Sequence, residues 1–349
     1  WLSIFALFGT FAILLALGVP ISFAIALSSL ASILLALPFE PAIAVIAQKM
    51  ATGLDNFALL SIPFFILAGN IMNNGGIASR LINFAQVLTG RLPGSLAHCN
   101  VMANMLFGSI SGSAVASAAA IGGVMSPIQK NKGYDPAYCA AVNIASCPTG
   151  LLIPPSNTLI VYSLVSGGTS IAALFLAGYL PGILMGLGIM VVAGIIAKRQ
   201  GYPMESRPTC RQFLKVTWEA LPSLFLILLI MGGIIGGIFT ATEASGIAVV
   251  YTLLLAVFFY KEVSIKDLPK IILESSITTA IVLLLIGASM GMSWAMTNAD
   301  IPYMVADALL ALSDNPIVIL LVMSFILLLV GTFMDMTPAM LIFTPILLP

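Results

Sequence analysis

Ser109, Ser111, Gly112 and Ser113 fall in GSISGSAVASAAAIGGVMSPI (108–128), a glycine- and hydroxyl-rich run within a chain that is otherwise strongly apolar. A second group, Thr149, Gly150, Pro154, Pro155, Ser156 and Asn157, lies on PTGLLIPPSN (148–157), again inside an apolar segment. Hydroxyls and carbonyls released from unwound backbone make a hard oxygen cage suited to a small alkali cation. Half-helix N-termini beside such a cage present partial positive charge to an anionic ligand. Ser111, Gly112, Ser113, Ser156 and Asn157 are therefore candidates for holding an anionic substrate. Ser109, Ser113, Thr149, Gly150 and Pro154 are candidates for a cation. A third stretch, GTFMDMTP (331–338), adds Gly331, Thr332 and Asp335 to the cation candidates. An ionisable residue within an apolar run is costly and points to function, although Asp335 at a helix start would also serve as a cap. For the glycine-serine run the competing reading is close helix packing.

The surrounding elements follow from composition. Of the 349 residues 60% are hydrophobic and 7% charged, with a mean hydropathy of +1.13, where soluble domains carry roughly a quarter charged residues. Apolar runs approach or exceed the roughly 20 residues of a spanning helix, and the short alternating segments of a β-barrel are missing. The fold class is all-α, a polytopic membrane protein. Net charge is zero and no basic run interleaves with aromatics, which excludes nucleic-acid binding. Cys99, Cys139, Cys147 and Cys210 have no metal-ligand spacing and read as small packing residues. His98 reads as a helix-end histidine, Glu243 in TATEAS as either a cap or a functional carboxylate, and MGGIIGGIF (231–239) as close packing. The chain opens at Trp1 and stops within LIFTPILLP, so it is expected to be incomplete at both ends, and no signal peptide is visible.

Apolar segments fall at about 1–18, 20–37, 56–73, 94–129, 137–166, 171–197, 216–239, 244–260, 270–297 and 316–349. Lys198, Arg199, Arg207, Arg211 and Lys215 make 198–215 a cytoplasmic loop, and Lys261, Lys266 and Lys270 do the same for 261–270. Arg80 and Arg91 on one side and Lys130 and Lys132 on the other make 94–129 begin and end in the cytoplasm, as a re-entrant hairpin with its tip near Ser109 to Ser113. Non-helical backbone at that depth survives only where protein shields it or it lines a cavity. Pro154 and Pro155 break the helix of 137–166.

IMNNGGIASRLINFAQVLTGRLPGS, from Ile71, and AMTNADIPYMVADALLALSDNPIV, from Ala295, share one plan at an offset of about 223 residues. Each has a membrane helix, a short MxN turn, an amphipathic arm and an apolar run ending in Gly-Ser or Gly-Thr. MSPI (125–128) pairs with FTPI (343–346), which makes the chain an internal duplication. The first arm carries Arg80 and Arg91, and the second carries Asp300, Asp307 and Asp314 without a basic residue. The copies are therefore expected to face opposite sides, the inverted repeat typical of secondary transporters. This symmetry splits 1–37 at Gly18-Val19-Pro20 and puts the N-terminus outside. The resulting division is 1–75 scaffold helices, 76–93 arm, 94–197 transport part (hairpin 94–129, broken helix 137–166, helix 171–197), 198–215 loop, 216–300 scaffold helices, 301–315 arm, and 316–349 a second, incomplete hairpin.

SGSAVASAAAIG, GYDPAYCAAV, LLIPPSNTLIVY, LFLAGYLPGILMG and GTFMDMTPAMLIFTPILLP occur in order along the whole chain. Together they resemble the large membrane subunit of the tripartite ATP-independent periplasmic (TRAP) transporters. The resemblance implies an elevator-type, sodium-driven importer in the bacterial inner membrane, working with a soluble periplasmic binding protein and a small four-helix membrane subunit, separate or fused. It implies carboxylate substrates such as sialic acids or C4-dicarboxylates. Two departures stand out: Ser117 occupies a position where the family usually has an aspartate, and the TPP-type broken helix expected after the second hairpin is missing. Rival readings are a self-sufficient sodium-coupled dicarboxylate or citrate carrier, an intramembrane enzyme, for which HExxH and a partnered serine are lacking, and a channel, which broken hairpins disfavour.

Overall fold

A computed structural model describes residues 2–204, 209–312, 315–332, 334 and 336–348, with no strand among them. Helices α1 (Leu2–Ala16) and α2 (Ile21–Ile33) are parted by Gly18, at φ +76°, and by Pro20, the N-cap of α2. Helix α3 (Phe39–Leu54) falls between the apolar segments of the sequence, because Glu40, Gln48 and Lys49 make it amphipathic, with Ala42 and Ile46 buried. A 3₁₀ turn (Phe57–Leu60) leads into α4 (Ser61–Asn74), followed by α5 (Ile77–Thr89). Next come α6 (Ser95–Ser111), α7 (Ala114–Asn131), α8 (Pro136–Ser146), the single turn α9 (Thr149–Leu152), α10 (Asn157–Val165) and α11 (Ile171–Gln200). The remainder is α12 (Cys210–Ile235), α13 (Ala241–Leu253) with a π-helical extension Leu254–Phe259, α14 (Leu268–Asn298), α15 (Ile301–Leu312), α16 (Pro316–Gly331) and α17 (Met336–Leu347). Among the described residues five helices are long and apolar enough to cross a membrane, or six if the pair bent by 52° at the break before Asn157 counts as one span. The chain is an all-α polytopic membrane protein.

Two segments read as loops are partly helical. Lys198 and Arg199 form the last turn of α11, where cations oppose the negative helix end. Arg211 and Lys215 lie in the first turns of α12, and Lys270 lies in α14.

The chain divides into two compact units that follow packing rather than the repeat boundaries: 60–160 with 170–276, and 1–59 with 161–169 and 277–349. In the unit of 60–160 and 170–276, α6 is the central element and packs against α4, α5, α7, α8, α9 and α11. That centrality explains its composition: Leu96, Val101, Phe107 and Ile110 are buried together with His98, Asn100, Asn104 and three serines. In the same unit α13 packs along α4, and Ile71, Ala256, Val263 and Ile271 form a buried apolar cluster. In the other unit α2 packs between α1 and α3, and Ser32 Oγ donates to the Ser3 carbonyl at 3.1 Å. Helix α16 buries none of its residues.

The duplicated plan reappears as matching elements. Asn74 ends α4 and Asn298 ends α14, and a left-handed residue then starts the arm helix, Gly76 at φ +67° and Asp300 at φ +54°. Glycine adopts that conformation freely and aspartate is among the few other residues that tolerate it. The second helix of each hairpin carries an internal proline, Pro127 in α7 and Pro345 in α17.

Candidate functional site

The first hairpin turns in two residues. Gly112 caps α6 in the left-handed conformation, φ +62°, and its N–H donates to the Gly108 carbonyl at 2.8 Å. Ser113, in extended conformation, caps α7 and its Oγ accepts from the Ala116 N–H at 3.3 Å. The turn is therefore shorter than the 109–113 stretch suggests. Ser109 and Ser111 are helical, with Ser109 Oγ donating to the Leu106 carbonyl at 2.8 Å and Ser111 Oγ 3.4 Å from the Gly108 carbonyl.

The second break lies in the same unit. After α8, Pro148 opens the single turn α9, Ile153 is extended, the Pro154–Pro155 bond is cis, and α10 starts at Asn157. Thr149 is buried and its Oγ1 donates to the Ser146 carbonyl at 2.6 Å. Two contacts join break and hairpin. A Cβ on Gly112 would lie 3.0 Å from Asn157 Nδ2, and a Cβ on Gly108 would lie 2.7 Å from the Gly150 Cα, so the backbones of α6 and α9 touch. Gly112, Ser156 and Asn157 are thus brought together, with Ser111 and Ser113 on either side of Gly112.

Two polar atoms here are buried without a hydrogen-bond partner: Ser156 Oγ, on a residue with no exposed surface, and Asn157 Oδ1. Buried polar groups are nearly always paired, so such exceptions call for an explanation. Both are hard, neutral oxygens at the start of the nine-residue α10. An oxygen-seeking alkali cation fits this donor set, and the helix N-terminus and the N–H groups of the tip suit an anion.

Beneath the tip lies a polar cluster that the sequence reading missed. Asn104 Nδ2 is 2.8 Å from Asn100 Oδ1, 3.0 Å from Asn143 Oδ1 and 2.8 Å from Ser146 Oγ, three acceptors for two hydrogens. Ser117 Oγ donates to Asn104 Oδ1 at 2.7 Å, and Asn143 Nδ2 to the Ala118 carbonyl at 2.9 Å. The cluster ties α6, α7 and α8 together. Its one sequence signal is the i, i+4 pair Asn100 and Asn104 in an apolar helix, a pattern that defaults to interhelical bonding.

The other candidates sort as follows. Gly331 ends α16, and Thr332 is exposed, its Oγ1 donating to the Leu328 carbonyl at 3.1 Å. Asp335 lies outside the described residues. Glu243 closes a capping box at the start of α13: its Oε2 accepts from the Thr240 N–H at 2.8 Å, and Thr240 Oγ1 accepts from the Glu243 N–H at 3.2 Å. His98 Nε2 is 3.2 Å from the Pro93 carbonyl, at the start of α6. Cys99, Cys139 and Cys147 are buried and Cys210 is exposed, and none of the four is in a disulfide.

Residues 8–349 match the family described as "Tripartite ATP-independent periplasmic transporter, DctM component". The chain belongs to this family. The transporter component is 65% identical over 346 residues to "Uncharacterized protein YgiK" of Salmonella typhimurium, covering 99% of this chain and 79% of that protein. It is 38% identical over 344 residues to the "Sialic acid TRAP transporter large permease protein SiaM" of Vibrio cholerae, covering 99% and 80%. It is 38% identical over 304 residues to the "C4-dicarboxylate TRAP transporter large permease protein DctM" of Pseudomonas aeruginosa, covering 87% and 71%. The described helices and the hairpin-and-break geometry therefore belong to a transporter component.

Proposed function

We propose that this component imports a carboxylate of the sialic acid or C4-dicarboxylate class, driven by sodium. A periplasmic binding protein delivers the solute, and the small membrane subunit, separate or fused, completes the permease in the bacterial inner membrane, with the N-terminus in the periplasm. The observation that carries the sodium reading is the pair of buried, unpartnered oxygens, Ser156 Oγ and Asn157 Oδ1, beside the Gly112 turn. The substrate class rests on the names of the sialic acid and C4-dicarboxylate relatives.

In this reading the hairpin of α6 and α7 is re-entrant and moves with α8, α9 and α10 as a transport part, while α1, α2, α12 and α13 belong to the scaffold. Sodium held by Ser109, Ser113, Thr149, Gly150 and Pro154, with Ser156 Oγ and Asn157 Oδ1, orders the first tip, and Gly331, Thr332 and Asp335 would contribute to a second cation site in the second hairpin. The ordered tip then presents Ser111, Gly112 and Ser113, with the hydroxyl hydrogen of Ser156 and the Nδ2 amide of Asn157, to the carboxylate, so that Ser156 and Asn157 give their oxygens to sodium and their hydrogens to the substrate. Because one ligand builds the site of the other, their affinities are linked by a single coupling free energy.

The deciding experiment is uptake into proteoliposomes holding the full-length chain and its small subunit, with labelled sialic acid and C4-dicarboxylates. The sodium gradient and the binding protein are varied independently. Uptake requiring both is the expected result. Sodium-driven uptake without the binding protein would replace this reading with a self-sufficient carrier.

A further inference from the structure

Helices α8 and α11 line an open apolar groove of about 400 Å³, which begins at Met185, one turn beyond Gly182, where α11 meets Ile153 of the break. Tyr138, Ala141 and Ala145 line it from α8, and Met185, Gly188 and Val192 from α11. Small residues on both walls create the space, and the glycine is open to it: a Cβ on Gly188 would meet nothing within 4 Å. One edge is held shut by the Tyr138 hydroxyl, which donates to the Ala193 carbonyl at 2.8 Å. The groove is a formed feature of one compact unit.

A basic end continues its lining. Met185, Val192 and Arg199 are spaced by seven residues on one unbroken helix, a spacing that drifts by only ~20° per heptad. Arg199 therefore stands on the same line as the groove, in the last turn, beside Lys198. From Gly188 to Arg199 the helix rises about 16 Å at ~1.5 Å per residue. That is close to half of the roughly 30 Å hydrocarbon core. Among the described residues at this end, Asp135 is engaged as the N-cap of α8, its carboxylate accepting from the Tyr138 N–H at 3.0 Å.

We propose that the α8–α11 groove is a binding site for one anionic phospholipid, with its phosphate on Arg199 and Lys198 and an acyl chain lying past Val192 to Gly188. Two independent features select this occupant: an open apolar groove whose lining runs from Met185 to Ile196 of α11, about 16 Å at ~1.5 Å per residue, and two basic residues in the last turn of the same helix. A zwitterionic lipid fills the groove equally well and gains less at the mouth, so the site discriminates by headgroup charge.

The test uses the full-length chain with its small subunit, purified, delipidated and offered phosphatidylglycerol or phosphatidylcholine. Retained lipid is counted by native mass spectrometry and thermal midpoints are recorded. The expected result is one retained phosphatidylglycerol per chain, at least tenfold less phosphatidylcholine, and a raised midpoint with phosphatidylglycerol alone. Gly188→Leu fills the groove and should abolish retention while the complex stays assembled, and Gly188→Ala should retain the lipid. The double variant Lys198→Ala, Arg199→Ala should bind both lipids equally and weakly. Undiminished phosphatidylglycerol retention in Gly188→Leu, or equal retention of the two lipids by the unaltered protein, would overturn the proposal. So would loss of the small subunit from Gly188→Leu with lipid retention unchanged, which would give the groove to a partner helix.

Discussion

Gly108 of α6 and Gly150 of α9 meet backbone to backbone: a Cβ on Gly108 would lie 2.7 Å from the Gly150 Cα and 3.3 Å from Ser117 Oγ. This contact seats the short turn after Pro148 against the hairpin, so the hairpin and the broken helix share one rigid junction. Gly108→Ala must push α9 away, an overpacking that costs about 1–3 kcal/mol. A lowered thermal midpoint together with lost uptake is expected. Gly123 on α7 is the control, since a Cβ there meets nothing within 4 Å, and Gly123→Ala should be neutral or stabilising by up to ~1 kcal/mol. Equal midpoints for the two variants would refute the junction.

Asn104 is the node of the buried amide cluster. Asn104→Leu leaves Asn100, Ser117, Asn143 and Ser146 each short of a partner. Interhelical hydrogen bonds in membranes average ~0.6 kcal/mol and reach ~1.7, so Ser117→Ala should cost about 1 kcal/mol and Asn104→Leu about 2 or more. The double variant should be less destabilised than the sum, because both remove the same bond. Additivity in reversible unfolding or thermal-shift data would mean that the cluster does not act as a unit.

Ser156 should behave in the opposite way. Its hydroxyl is buried without a partner, so Ser156→Ala removes an unsatisfied group and should leave the sodium-free midpoint unchanged or raised. A ligand that binds only the folded state adds about 2.7 kcal/mol at ~100 times its Kd. The unaltered protein should gain such a sodium-dependent shift, and Ser156→Ala and Asn157→Ala should lose most of it. Retention of the full shift in both variants would remove these residues from the cation site.

Arg80 anchors the first arm helix. Its guanidinium lies 3.7 Å from the centroid of the Tyr260 ring, its Nη1 donates to the Gly76 carbonyl at 2.9 Å, and its Nη2 is 3.4 Å from Glu262 Oε1. The carboxylate is half exposed, and exposed pairs contribute only about 0.2–1 kcal/mol. Stacking and the carbonyl bond should dominate, since an arginine over an aromatic ring contributes about 0.5–2 kcal/mol. Arg80→Lys, which keeps the charge and loses the planar fork, should therefore lower the midpoint more than Glu262→Gln. High salt should reduce only the Glu262→Gln difference.

The membrane class, the positions of the breaks and the repeated order of elements are legible in the residue types alone. Each of these depends on short-range chemistry. Unbroken apolar runs require lipid, Pro154 and Pro155 have no N–H to continue a helix, and Gly76 and Gly112 adopt left-handed backbone that few residues tolerate. How the hydroxyls and amides are used depends on packing between distant segments. Ser109 and Thr149 bond to carbonyls three residues before them, whereas Ser156 Oγ and Asn157 Oδ1 are left unpaired. The Asn104 cluster joins residues up to 42 apart, and Arg80 reaches Tyr260 across the chain. Helix α3 stayed hidden because its charges interrupt the hydropathy signal, while its buried face, Ala42 and Ile46, exists only against its neighbours. Local residue chemistry specifies where a helix stops; the partner of a buried polar atom is specified only when distant segments pack.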